Sequence, residues 1–130
     1  VLHPLALEIA LKLKEAAYIH AEGFSAGELK HGVLALVQTG TPVISLATES
    51  DTQALDLASI QEVKAREGDV SIVTDHAVAD HDALILIKQI GIATPLLVAV
   101  VGQLLAYTIA CVKAIDPDKP RNLAKSVTVR

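Results

Sequence analysis

The chain has 130 residues, enough for one domain, and 52% of them are apolar, so a core can form without metal or disulfides. The net charge of −4, from 11 basic and 15 acidic residues, excludes the basic footprint of a nucleic-acid binder. A single cysteine, Cys111, excludes an internal disulfide framework and fits a reducing cytosol.

Pro4 to Tyr18 is rich in Ala, Leu, Lys and Glu without an internal breaker, which predicts a helix. Leu5, Ile9, Leu13 and Ala16 share one stripe of it; Glu8, Lys12 and Glu15 share another, at helical spacing. Read for itself, that polar stripe is a solvated face with salt bridges. Ser25 and Glu28 form a capping-box pattern for a second helix reaching about Val37. Gly40 and Pro42 punctuate, and Val43–Ala47 is an apolar run suited to a strand buried on both faces. Ser50 and Gln53 repeat the capping-box pattern ahead of a helix that Gly68 can end. Val70–Val73 predicts a second strand, Asp75–Asp82 a polar loop and Ala83–Ile87 a third strand. Thr94 can cap a last long helix, with Pro95 at its first position. Asp116–Pro120 breaks that helix, and an irregular basic tail follows.

Strands separated by helices imply a layered α/β domain with a mainly parallel sheet over residues 1–115, followed by a tail at 116–130. Asp75–Asp82 is too short for a helical crossover, so the third strand is reached by an irregular crossover or lies at an edge. The only aromatics, Tyr18, Phe24 and Tyr107, also fit a helix-covered sheet better than a sandwich. The chain starts at Val1 with no charged segment before an apolar one, which predicts no signal peptide and suggests a fragment. Residues 90–112 carry no charge and approach a membrane span in length. Gln103, Tyr107 and Thr108 interrupt them, so a helix in a core or a subunit interface is expected instead.

Asp75, His76, Asp80, His81 and Asp82 are metal-ligand types, but nothing in their order demands convergence, and a solvated loop is the simpler expectation. Cys111 sits mid-helix among apolar neighbours with no cation or base nearby, which predicts a packed, inert thiol. His31, Glu15 and Lys125 are unremarkable by composition.

Five blocks change their meaning: Ala6–Glu15, Tyr18–Glu22 and Gly27–Gly32, and at the other end Gln103–Tyr107 and Asp118–Val129. Together they resemble the second sugar isomerase (SIS) domain of the glutamine–fructose-6-phosphate amidotransferase family. The resemblance implies a SIS-type fold and conversion of fructose 6-phosphate plus glutamine-derived ammonia to glucosamine 6-phosphate. It implies that Glu15 moves a proton between C1 and C2 of the open-chain sugar, with Lys12 assisting. His31 would open the sugar ring, reaching the site of the other subunit of a homodimer. Lys125, beside the substrate-binding Ala124, would form a Schiff base with the ketose carbonyl. The resemblance further implies a cytoplasmic enzyme partnered by the glutaminase and first SIS domains of the same protein. No cofactor, metal, nucleic acid or membrane is expected.

The chemistry suits these types. Ring opening moves a proton between two oxygens, which an imidazole does in both directions. A protonated Schiff base is a stronger electron sink than a ketone. Glu15 and Lys12 are expected to face a cleft together, with Glu8 pointing elsewhere. Departures from the family pattern are Val33 for a proline, Ile9 for a glycine and Arg130 for a final glutamate, and Val1–Pro4 where a Gly-Arg-Gly strand is usual. Two other readings remain: a non-catalytic sugar-phosphate-binding SIS domain, and another SIS isomerase or deaminase. Retained Glu15, His31 and Lys125 argue against the former, and the Pro120–Lys125 tail against the latter.

Overall fold

The breaker-free run at the start of the chain forms helix α1 (Leu2–Ala17), whose buried stripe is Ile9, Ala10, Leu13 and Ala17. The structure, a computed structural model, describes residues 2–48, 51–78 and 84–123. After α1 come two 3-10 segments, η1 (Ala26–His31) and η2 (Val33–Leu36), then strand β1 (Pro42–Ala47), helix α2 (Gln53–Lys64) and strand β2 (Asp69–Thr74). Strand β3 (Leu84–Leu86), a 3-10 turn η3 (Gly91–Ala93) and helix α3 (Thr94–Val112) complete the order.

The three strands form one parallel sheet in the order β1-β2-β3, with Val43 beside Val70 and Ile72 beside Leu84. β3 is therefore a short parallel edge strand. Side chains alternate across the sheet. Val43, Ala47, Val70 and Ile72 pack with Leu34, Ile60 and Val63 from η2 and α2. Leu46 packs on the opposite face with α1 and α3 through Ile9, Leu13, Val98 and Ala106. The result is a three-layer α/β/α domain, as the alternation of elements predicts.

The expected helix between Ser25 and Val37 does not form as one element. Gly32, at φ 139°, divides it, and Ser25 makes no side-chain capping bond. Only Leu34 of the two segments is buried, so little apolar surface holds a continuous helix together. Helix ends also differ from expectation. Ser50 lies outside the described residues, and Thr52 stands at the N-cap of α2. Glu67, at φ 60°, takes the left-handed turn expected of Gly68. Gly68 is required for space: a Cβ there would meet Val63 Cγ1 at 2.6 Å. Thr94 begins α3 rather than capping it, and its hydroxyl accepts the Ile90 N–H at 3.0 Å.

Ile9 and Gly102 interlock where α1 crosses α3. A Cβ on Gly102 would lie 2.3 Å from Ile9 Cγ1. Gly102→Ala is expected to destabilise the domain by about 1–3 kcal/mol through overpacking. Adding Ile9→Ala should recover part of that loss, since the two side chains compete for one volume. Urea unfolding of the two singles and the double checks this; strictly additive losses would refute the interlock.

Residues Gly91–Val112 are long and apolar enough to cross a membrane by length and composition. One stripe, Thr94, Val98, Gly102, Ala106 and Ala110, is nevertheless buried, and the helix lies along α1. The opposite side leaves Leu96, Leu104, Tyr107 and Val112 more than half exposed. Cys111 lies on this open side, so the expectation of a packed thiol is wrong. Its neighbour Ala110 takes the inward position. The thiol hydrogen-bonds Tyr107, one turn earlier, and holds that phenol above its ordinary pKa of 10.

Candidate functional site

The three-residue spacing of Lys12 and Glu15 on α1 brings their side chains together. Lys12 Nζ donates to Glu15 Oε2 at 2.7 Å, and both side chains are about one-third exposed. Glu8 does not point elsewhere: its Oε1 is 3.5 Å from the same ammonium. The hydrogen bond to Glu15, more than any other influence, raises the Lys12 pKa above its ordinary 10.5 against the opposing effect of burial. Lys12 therefore stays an ammonium at neutral pH. It can neutralise charge beside Glu15 but cannot itself act as a base.

His31 ends η1 and is exposed. Its element packs with α2, on the sheet face opposite α1. Among the described residues no hydrogen bond or ion pair joins His31 to Glu15 or Lys12. Lys125 and Ala124 lie outside the described residues. A broad cavity of about 510 Å³ next to His31 is lined by Lys30, Gly32, Leu34, Ala35, Glu62 and Arg66. Lys30 and Glu62 are paired there at 2.8 Å, so the cavity is not a free cation cluster.

The C-terminal end of α1 receives contacts from Lys113 and Arg121. Lys113 Nζ donates to the Ala17 carbonyl at 2.6 Å, satisfying one of the open acceptors of the helix end. The Arg121 backbone N–H donates to Tyr18 Oη at 2.7 Å, and the guanidinium lies 4.1 Å above the Tyr18 ring centroid. The sequence offers no signal for this contact, because the partners are 103 positions apart and share no periodic pattern.

A second polar group stands at the carboxyl ends of the strands. His76 Nδ1 is 2.8 Å from Asp75 Oδ1, and His76 Nε2 is 2.7 Å from Gln53 Nε2. Gln89 Nε2 donates to Asp75 Oδ2 at 2.8 Å, and the Thr94 hydroxyl donates to Gln89 Oε1. The expectation of a solvated loop fails for Asp75, whose side chain is only 14% exposed. Strand-end position is the signal that could have found it. Asp80, His81 and Asp82 lie outside the described residues. Among the described residues no three His, Cys, Asp or Glu side chains gather to hold a metal.

The His76 hydrogen bond, opposed by burial, pulls the Asp75 carboxyl below its ordinary 3.8. A depressed carboxylate contributes stability that is full above its unfolded pKa and is lost as pH falls through the folded one. Asp75→Asn should therefore cost on the order of 1 kcal/mol at neutral pH, the figure for a partly exposed pair. The difference should shrink as pH falls below about 3.8, by thermal melts across pH. A difference constant from pH 7 to pH 3 would refute it.

A family model described as SIS domain matches residues 2–114. The chain is 52% identical over 128 residues to a glutamine–fructose-6-phosphate aminotransferase (isomerizing) of Lactiplantibacillus plantarum, covering 98% of this chain and 21% of that protein. It thus spans about a fifth of the length of such curated relatives. Among solved structures it is similar to the C-terminal domain of glucosamine-fructose-6-phosphate aminotransferase from Francisella tularensis. That likeness has TM-score 0.84 and 34% identity, and covers 91% of this chain and 35% of that one. It is also similar to a glucosamine-6-phosphate deaminase from Thermotoga maritima, with TM-score 0.76, 28% identity, 96% of this chain and 37% of that one.

Proposed function

The chain belongs to the SIS-domain family, and from that premise we propose that it is the second SIS portion of a glucosamine-6-phosphate synthase. The observation that carries this reading is 52% identity, over 98% of the chain, to a protein named for that reaction. The substrate is fructose 6-phosphate and the product glucosamine 6-phosphate, made with ammonia from a glutaminase domain of the same soluble, cytosolic protein. A first SIS domain completes the sugar site.

In this reading His31 passes a proton between the ring oxygen and the anomeric hydroxyl, opening the sugar. The Lys125 amine adds to the C2 carbonyl and water leaves, giving an iminium. Ammonia displaces the lysine, leaving a C2 imine and restoring the free amine. Glu15 takes a proton from C1 and a proton is returned at C2. C1 is oxidised to the aldehyde level as C2 is reduced to the amine, so no external redox partner is needed. The fixed charge of Lys12 favours the enolamine-like intermediate beside the carboxylate. Ala124, the sequence neighbour of Lys125, is assigned to substrate binding in this reading.

The test is product formation by the full-length protein. Glucosamine 6-phosphate from fructose 6-phosphate and glutamine supports the proposal. Conversion between sugar phosphates without nitrogen incorporation, or ammonia release from glucosamine 6-phosphate alone, would assign another SIS isomerase or deaminase. The likeness to the Thermotoga maritima structure keeps the latter as the second reading. Sugar binding without turnover would assign a non-catalytic domain.

A homodimer belongs to the same proposal. The exposure of His31 supports its service to a neighbouring subunit, and the open faces of α1 and α3, including Leu7, Leu11, Leu96 and Leu104, offer apolar surface to bury. Sedimentation equilibrium should return twice the monomer mass, and Leu104→Glu should shift it toward monomer. A strict monomer at high concentration would overturn this part.

A further inference from the structure

We infer that the cavity between η1–η2 and α2 is an anion site for a small phosphate ester that also carries hydroxyl or ammonium donors, namely a hexose phosphate. The choice of a hexose phosphate rests on the reaction proposed above; the anion site does not. The cavity exists because of how this segment breaks. Gly32, at φ 139°, turns the chain between the two 3-10 segments, and a Cβ on it would meet nothing within 4 Å, so it borders open space. The turn leaves a hollow of about 510 Å³ against α2, a volume typical of small-ligand sites. Lys30, Gly32, Leu34 and Ala35 form one wall; Glu62 and Arg66, one turn apart on α2, form the other. Two ties hold the walls in place. Ser59 Oγ donates to the Ala26 carbonyl at 3.3 Å, and Lys30 Nζ pairs with Glu62 Oε1 at 2.8 Å. The hollow is therefore formed before any ligand arrives, which lowers the ordering cost of binding.

Charge decides what the hollow accepts. Arg66 Nη1 donates to the Glu62 carbonyl at 2.7 Å, a neutral partner, and among the described residues no carboxylate pairs with its guanidinium. The rest of the planar fork is suited to grip a phosphate through two oxygens. Lys30 has three ammonium donors and can turn from Glu62 toward the same anion. Two cations and one carboxylate leave the walls with a single net positive charge, which disfavours a metal cation. The overall charge of −4 disfavours an extended polyanion. Glu62 adds selectivity. Its Oε2 is buried and accepts no hydrogen bond from the described residues, an uncommon state for a carboxylate oxygen. As Lys30 turns to the phosphate, the carboxylate is released to accept from a ligand hydroxyl or ammonium. Inorganic phosphate offers mainly oxyanions to that carboxylate, so a sugar phosphate is preferred. The hollow is not at Glu15, because η1 and α2 cover one face of the sheet and α1 the other. Each chain of the full-length protein should then bind two hexose phosphates.

The experiment is equilibrium dialysis of the full-length protein against radiolabelled glucosamine 6-phosphate, with inorganic phosphate and glutamate as competitors. Wild type is expected to bind two equivalents per chain. Arg66→Gln should retain one and weaken the other about 10–100-fold, the usual worth of a charge-assisted hydrogen bond. Arg66 is exposed, so the melting temperature should not move. If that variant does not fold, Lys30→Gln answers the same question from the opposite wall. Glu62→Gln should keep both equivalents but lose the preference for the sugar phosphate over inorganic phosphate. One equivalent in wild type and one in Arg66→Gln, at equal affinity, would overturn the site. Displacement from the Arg66-dependent site by inorganic phosphate or glutamate as readily as by glucosamine 6-phosphate would reduce it to a general anion contact and overturn the assignment. One equivalent in wild type and none in Arg66→Gln would keep the cavity site while removing the sugar site at Glu15, so failure of the proposed reaction would be seen separately.

Discussion

Replacing Glu15 by glutamine in the full-length protein is expected to lower glucosamine 6-phosphate synthesis by about 10²–10⁴-fold, the usual contribution of a positioned proton-transfer group. Glutamine hydrolysis should stay at the wild-type rate. The substitution is nearly isosteric, and its amide oxygen can still accept from Lys12, whose ammonium lies 2.7 Å from the present carboxylate. Lys12 also keeps Glu8 at 3.5 Å, so no isolated charge is created. The pair is about one-third exposed, and losing it should cost no more than about 1 kcal/mol of stability. A large loss of synthesis with an unchanged melting temperature therefore reports chemistry and not unfolding. The pH profile adds a second readout: removal of the only proposed carboxylate base should abolish the acid limb of kcat/KM. Coupled assays of amino-sugar phosphate and of glutamate on the same samples make the comparison. Synthesis at the wild-type rate in this variant would remove Glu15 from the mechanism.

The sequence made the layers legible because burial imposes periodicity. The runs at Val43–Ala47 and Val70–Val73 are apolar except at Ser45 and Ser71, and both lie in the parallel sheet. β1 is nevertheless an edge strand whose Ile44 is exposed, so it is not covered on both faces as its composition suggests. The α1 stripe was legible for the same reason, and the Lys12–Glu15 contact follows from helical spacing alone. Features set by tertiary competition were not legible. Ser25 and Glu28 have the letters of a capping box, yet Gly32 and the scarcity of buried residues split that segment into 3-10 turns. Cys111 has apolar neighbours on both sides in sequence, but a helix rotates about 100° per residue, and only Ala110 faces inward. The same limit applies to the site. Asp75 and His76 were visible as residue types, while their partners Gln53 and Gln89 are brought in by α2 and by the segment after β3. Tyr18 and Arg121 were both within blocks of family resemblance, and nothing local linked them.

The 130 residues by themselves are expected to make glucosamine 6-phosphate at a rate at least about a thousandfold below that of the full-length protein, because most of the orientation that catalysis needs is missing. The chain spans about a fifth of its curated relatives, and its described residues join neither Glu15 nor Lys12 to His31. If His31 serves a neighbouring subunit, a chain that remains monomeric lacks a ring-opening group at its own Glu15. In the proposed enzyme the Ser/Thr-rich loop that holds the sugar phosphate belongs to the first SIS domain, which a preparation of these 130 residues does not include. Binding energy from that remote phosphate is what holds C1 and C2 against the base, so its loss lowers kcat as well as affinity. Ammonia would have to come from solution, since Cys111 lies on the open side of α3 and matches no glutamine-hydrolysing motif. Schiff-base formation is less demanding than the whole reaction, requiring only a carbonyl and a deprotonated amine. The isolated chain should therefore still give some borohydride-trapped Lys125 adduct with fructose 6-phosphate while showing no measurable turnover with added ammonium. Peptide mapping of the reduced adduct and a product assay on the same incubation separate the two outcomes. Turnover approaching the full-length rate would mean that these residues already contain a complete phosphate and sugar site, and the reading of the chain as one portion of a larger enzyme would fall.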